Sequence, residues 1–234
     1  MNITIGHTTH SGIKRDHNED TYGVNNPKHV YLVADGMGGH DHGEIASALA
    51  RDNILSAIEQ GMDLETAILT ANQEIINSSS EKPGDLPMGT TVIIVKLDQN
   101  DYHCAWVGDS RAYIYQNKSL TAISSDHSYV QELVDQKLIS TEQARSHPHR
   151  NVVTQALGVT DNSEIKVASK NASFEKGDKF LLCSDGLTEE VDDMAIEAIM
   201  SQNAHPKELA DQLLIKALEN GGSDNITVLV IEIN

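Results

Sequence analysis

A chain of 234 residues, 39% hydrophobic and with a formal net charge of −18, has material for a sizeable core and is not expected to be disordered. Such acidity excludes the basic footprint of a nucleic-acid binder and disfavours attraction to anionic membranes. No apolar run reaches the ~18 residues of a transmembrane helix, and the opening "MNITIGHTTHSGIKR" is not read as a secretory signal.

In chain order, "TYGV" (21–24) reads as a short strand, and "VYLVA" (30–34) as a buried one that stops at Asp35. Two amphipathic helices follow. In 43–60 the residues Ala46, Leu49, Ala50, Ile54, Ala57 and Ile58 share a face; in 63–77 Leu64, Ala67, Ile68, Ala71 and Ile75 do. "NSSSEKPGDLPMG" (77–89) is a loop by its Ser, Pro and Gly content. Strands are expected at 90–97, 102–107, 111–116 and 119–123, the last two forming a hairpin around "QNK". Strands in succession without helices between them imply antiparallel sheets. A helix at 128–138, a strand at 179–183, helices at 193–202 and 206–219 and a strand at 226–233 complete the chain. Pro206 suits the first turn of its helix and Gly221 the stop. The pattern is α+β, and 1–234 is read as a single domain. Cys104 and Cys183 each lie inside an apolar run, as small buried hydrophobes rather than disulfide partners, which fits a reducing cytoplasm.

The chemistry lies in the carboxylates. Asp35-Gly36 and Asp185-Gly186 follow apolar runs, Asp109 follows Gly108, Asp224 precedes the last strand, and Glu19-Asp20 precede the first short one. A single Asp-Gly pair is a turn signal. Several carboxylates at strand ends, gathered at one rim, would repel one another unless their pKa values rose or a cation bound. Oxygen donors without cysteine select hard cations, Mg²⁺ or Mn²⁺. Arg15, four residues before Glu19, offers a planar guanidinium for a tetrahedral oxyanion. The twelve-residue calcium-loop pattern is absent.

Taken in order, "RDHNED" (15–20), "VADGMGGHDHGEIAS" (33–47), "MGTT" (88–91), "VGDSRAY" (107–113), "DHS" (126–128), "HPHRNVVTQALG" (147–158), "CSDGLTE" (183–189) and "GGSDNITVLV" (221–230) resemble the metal-dependent type-2C serine/threonine protein phosphatases in their compact bacterial form. The resemblance implies a four-layer α-β-β-α sandwich, two antiparallel sheets flanked by helices, with a binuclear Mn²⁺ or Mg²⁺ centre at one end. It makes Asp35 the bridging ligand, Gly36 a carbonyl ligand, Glu19 a ligand of the second metal and Asp185 and Asp224 ligands of the first. Asp20 would steady bound water, and Asp109 would share a weaker third metal with Asp185. Hydrolysis would proceed by direct attack of a hydroxide bridging the two metals, with Arg15 on the phosphoryl oxygens and no phosphoenzyme.

Many animal members carry a histidine directly after the Asp-Gly pair as proton donor; here that position is Met37, and the role does not transfer. His40 is the candidate donor, with a hydrogen bond to its own loop as the plainer role and a water near Asp109 as a rival. Met88, Gly89 and Thr90 are read as support beneath the site, Ser110 and Arg111 as fixing the turn at Asp109, and Asn225 as a hydrogen-bonding neighbour. Residues 128–158 match the family's flap. The implied partners are phosphorylated proteins, including a serine/threonine kinase and its targets, acted on by a monomer. A non-enzymatic relative that only binds a partner is the rival reading; it would be favoured by loss of a metal-ligand aspartate, and every such position is filled.

Overall fold

The protein is described from a computed structural model covering residues 1–38, 42–80 and 88–234. The strands are β1 (Ile3–His10), β2 (Asp20–Asn25), β3 (Val30–Met37), β4 (Gly89–Thr90), β5 (Val92–Asp98), β6 (Asp101–Val107), β7 (Arg111–Gln116), β8 (Ser119–Ala122), β9 (Ala168–Ser173), β10 (Lys179–Cys183) and β11 (Ile226–Ile233). The helices are α1 (His42–Glu59), α2 (Leu64–Ser80), α3 (Tyr129–Asp135), α4 (Thr141–Arg145), α5 (Asp185–Thr188), α6 (Asp193–Met200) and α7 (Pro206–Asn220).

Two antiparallel sheets result. One runs β1-β11-β10-β7-β8; the other runs β2-β3-β5-β6-β9, with β4 paired to β3. Side-chain alternation divides the interior into three cores. Along β11, Leu229 and Ile231 point between the sheets, where they meet Phe180, Leu182, Tyr31, Val33, Ile93 and Val95. Val228 and Val230 point the other way, onto Leu209, Leu213 and Ala217 of α7 and Ile196 of α6. On the far side, Val30, Leu32, Val92 and Ile94 receive α1 and α2 through Ala46, Ala50, Ile54, Ile68 and Ile75. Three cores make four layers, helices–sheet–sheet–helices. Central strands buried on both faces explain why these runs are apolar throughout rather than alternating. Cys104 lies in the inter-sheet core and Cys183 in the outer one, both reduced and buried. Among the described residues no helix is long and apolar enough to cross a membrane.

The 111–123 hairpin forms as expected. Asn117 and Lys118 hold the turn with φ of 52° and 63°, the twist that suits a two-residue connection. Several expectations need correction. Strand β3 does not stop at Asp35: Gly36 and Met37 continue it by pairing with Thr90 and Gly89. Helix α2 runs to Ser80, not 77, so only part of the expected 77–89 loop remains, and residues 81–87 lie outside the described residues. Strands β1 and β9 and helices α4 and α5 went unread in the sequence.

Candidate metal centre

Both sheets end at one rim, and each brings acids to it. In the register of β2 and β3, Asp20 stands directly opposite Asp35. The Asp35 peptide is held firmly: its N–H donates to Thr91 Oγ1 (3.2 Å), and its carbonyl accepts from Thr91 N (2.8 Å) and Thr90 Oγ1 (2.9 Å). The Thr91 hydroxyl is itself bonded to Ser110 Oγ at 2.7 Å. In the other sheet β10 ends at Cys183, Ser184 precedes α5, and Asp185 is that helix's first residue. Asp224 lies just before β11. Asp109 sits on the passage from β6, in one sheet, to β7, in the other.

Two glycines are required by contact rather than by turn geometry. A Cβ on Gly36 would lie 2.1 Å from Gly43 O and 2.6 Å from Glu19 O. One on Gly186 would lie 2.0 Å from Asn225 O. Bare backbone at these points lets α1 and Glu19 close on β3, and lets α5 close on β11, which brings Asp185 toward Asp224. Ser184 joins the two sheets: its hydroxyl donates to Asp20 Oδ2 (2.7 Å) and accepts from Thr227 N (2.9 Å).

The result is a cleft of about 610 Å³ lined by Arg15, Glu19, Asp35, Gly36, Asp109, Asp185 and Asp224, together with Lys14, His17, Thr91, Asn151 and Val153. Asp20 stands behind this lining, buried. His40 falls outside the described residues. Arg15 spans the mouth, its Nη2 donating to Asp224 Oδ2 at 2.7 Å. Arg111, as expected, serves the architecture instead, binding Asp126 through Nε (2.8 Å) and Nη2 (2.6 Å). The expected flap is rooted beside Asp109. His127 N donates to Gly108 O (2.9 Å), Thr154 N donates to His127 O (2.8 Å), and Ser128 bridges to Val153. Of the flap, only Asn151 and Val153 reach the cleft.

The carboxyls crowd one another. Burial pushes Asp35 well above the usual carboxylate range, and the charges of Asp20, Asp185 and Asp109 add to it. Burial also raises Asp109, with Asp185 and Asp126 contributing. Asp20 and Asp185 are each pushed up to about 6, again chiefly by burial. The Asp35 carboxyl interacts with both of them. By surface Asp35 and Asp185 are only half-buried, being open to the cleft, yet their carboxyls are enclosed. Two carboxylate oxygens, Asp20 Oδ1 and Asp185 Oδ1, are buried with no hydrogen-bond partner. A polar atom stranded in this way is costly unless something positive answers it.

An all-oxygen donor set around orphaned, mutually repelling acids fits hard divalent cations. Among the described residues no three Asp, Glu, His or Cys side chains already stand as a ready-made ligand group. The reason is visible: Asp35 is engaged with Asp20 and Asp185, and Asp224 is turned to Arg15 and to Asn225 N. The fit to a hard cation rests on the donor chemistry and the stranded oxygens.

This crowding has a measurable sign. Asp20 and Asp185 go from an ordinary value of 3.8 to about 6 on folding, so the folded state holds the extra protons. Their contribution to stability is fully present below about pH 4 and lost as pH rises through about 6. In chelator, the unfolding midpoint is expected to be higher at pH 5 than at pH 7. A midpoint that rises over this interval would contradict the assignment of buried, uncompensated acids.

The sequence of the protein phosphatase 2C family, as a family model, matches residues 9–219. The chain belongs to the protein phosphatase 2C family. It is 38% identical over 239 residues to the serine/threonine phosphatase stp of Listeria monocytogenes, covering 96% of this chain and 93% of that one. Its fold superposes on the crystal structure of the Mycobacterium tuberculosis serine/threonine phosphatase PstP/Ppp with a TM-score of 0.91 at 33% identity, across 99% of both chains. The catalytic domain of PstP in complex with two manganese ions is likewise similar, with a TM-score of 0.87 at 30% identity over 99% of this chain and 98% of that one. The chain is thus a member of a family of metal-dependent serine/threonine phosphatases, with the family's sandwich of two sheets between helices.

Thr91, Ser184 and Thr227 lie inside the quoted motifs, yet the sequence assigned them no role; each is a hydroxyl residue beside an apolar run, and the signal available was a polar group next to a buried stretch.

Proposed function

We propose that this chain hydrolyses phosphoserine and phosphothreonine esters in proteins, with two divalent cations, Mn²⁺ or Mg²⁺, as cofactors. The observation that carries this reading is the meeting of Glu19, Asp35, Asp109, Asp185 and Asp224 with Arg15 on one cleft, backed by stranded buried oxygens. Asp35, Gly36 and Glu19 would hold one ion, and Asp35, Asp185 and Asp224 the other; Asp109 with Asp185 would hold a third, weaker one. Bound there, such cations bring the pKa of water near neutrality and offset phosphoryl charge.

The chain's own groups do the rest. Asp20, behind Asp35 and hydrogen-bonded to Ser184, orients Asp35 and accepts from water entering the site. Arg15 uses one N–H on Asp224 and has further donors in its fork for phosphoryl oxygens. The leaving serine or threonine oxygen takes its proton from His40 or from water beside Asp109. The enzyme works as a monomer with one catalytic domain over 1–234, in the cytoplasm, opposite a serine/threonine kinase and its targets.

Release of phosphate from a phosphothreonine peptide, with and without Mn²⁺, tests the reading. Manganese-dependent turnover is expected; a folded, Mn²⁺-loaded protein that turns over neither the peptide nor p-nitrophenyl phosphate would refute it in favour of a binding role. Arg15→Ala is expected to lower kcat/KM about 10- to 100-fold, mainly through KM, since hydrogen bonds to charged groups are worth about 1.5–3 kcal/mol. An unchanged kcat/KM would remove Arg15 from phosphate binding.

A further inference from the structure

The stretch from Ser11 to Glu19 has no helix or strand of its own, yet it carries both Arg15 and Glu19. Two buried side chains reach into it: Ser47, whose Oγ donates to Glu19 O (2.6 Å), and Asn225, which holds it at three points. Asn225, 6% exposed and adjacent to Asp224, donates through Nδ2 to Ser11 O (2.9 Å) and His17 O (2.8 Å) and accepts through Oδ1 from Glu19 N (2.7 Å). Two carbonyls and one N–H around the amide fix which end is which. Its own backbone N–H donates to Asp224 Oδ1 at 2.8 Å, and its carbonyl is the surface against which Gly186 packs. One amide therefore grips the loop before Arg15, after Arg15 and at Glu19, while its backbone touches both Asp224 and the start of α5.

No other short side chain meets these needs. Aspartate lacks the two donors and adds charge beside crowded acids; serine cannot reach three partners; glutamine is a methylene too long for a fully enclosed position. A buried asparagine that merely stitches a loop is the plainer role. Here the loop it stitches holds a phosphate-facing cation and a metal-facing acid, and the strand it belongs to begins at another acid.

We infer that Asn225 is a positioning residue that sets Arg15 and Glu19 in register with Asp224, so that phosphate engagement and ion binding depend on one clasp. The inference rests on the phosphatase reading above. Asn225 acts through these three residues; no contact with phosphate or ion is assigned to it.

The test is a double-mutant cycle of Asn225→Ala with Arg15→Ala, read as kcat and KM for a phosphothreonine peptide at saturating Mn²⁺, alongside Mn²⁺ affinity measured by electron paramagnetic resonance without substrate. Asn225→Ala is expected to raise KM and to weaken Mn²⁺ binding, each about tenfold or more, as loss of an outer positioning partner does. In the Arg15→Ala background its further effect on KM should shrink to less than about threefold, because groups acting as a unit are not additive. Fully multiplicative effects, or Mn²⁺ affinity and KM both within about threefold of wild type, would overturn the inference. If Asn225→Ala does not fold, Asn225→Asp takes its place; it keeps the acceptor for Glu19 N–H and loses both donors, so KM should rise more than Mn²⁺ affinity falls, and the reverse order would overturn the clasp. A wild-type protein without turnover would sink the phosphatase reading instead, and the Mn²⁺ affinities would still decide the clasp at Glu19.

Discussion

Asp35→Asn is expected to abolish Mn²⁺-dependent turnover, by at least about 10³-fold, and at the same time to make the metal-free protein more stable. Both effects come from one feature. Asp35 is the acid whose ionisation is most opposed: burial, Asp20, Asp185 and Asp109 all push its pKa up. An asparagine amide in its place would donate to the neighbouring carboxylates and add no charge. Activity needs the charge and stability does not, so the substitution should separate them. Each kcal/mol of relieved repulsion would raise the unfolding midpoint by about 2–4 °C in a chain of this size. Normal turnover by this variant would remove Asp35 from the ion site. A lowered midpoint in chelator would show that its carboxylate is needed for packing.

Stripping divalent ions is expected to stop turnover completely and to lower stability near neutral pH, with Mn²⁺ restoring both. An ion bound to the folded state alone stabilises it in proportion to the logarithm of its concentration over Kd, about 2.7 kcal/mol at a hundredfold excess. The crowded acids also link ion to proton. Asp20 and Asp185, each near 6, and Asp35 above its ordinary range must shed protons as the cation enters. Calorimetry at pH 6 in buffers of different ionisation enthalpy should therefore show proton release on Mn²⁺ binding, diminishing toward pH 8. Binding without proton release at pH 6 would mean that these acids are not displaced by the ion.

The interior of the fold is legible because its strands are buried on both faces, which leaves apolar runs at 30–34, 180–183 and 228–231 that admit one reading. The rim is less so. Strand β9, "ASKNAS", is an exposed edge that exists through its ladder with β6, and no apolar pattern marks it. Strand β1 is an edge of the other sheet, with a half-exposed pattern. The continuation of β3 through Gly36 and Met37 depends on Gly89 and Thr90, which arrive fifty residues later in the chain. At the site, the acids stood out through their repetition at the ends of apolar runs, since any single Asp-Gly pair is an ordinary turn signal. The function of those glycines did not: Gly36 and Gly186 are required because another backbone occupies the volume of a Cβ, a fact of tertiary approach alone. The pairing of Arg15 with Asp224, separated by 209 residues, likewise belongs to the closed structure.

The most direct measurement is anomalous diffraction at the manganese edge from crystals of the wild-type protein grown with Mn²⁺. Two strong peaks are expected in the cleft, both within ligand distance of Asp35, one shared with Gly36 and Glu19 and the other with Asp185 and Asp224. Crystals that keep Arg15 on Asp224 and Asp35 between Asp20 and Asp185, with no manganese among them, would contradict the assignment of this cleft as a two-metal phosphatase centre.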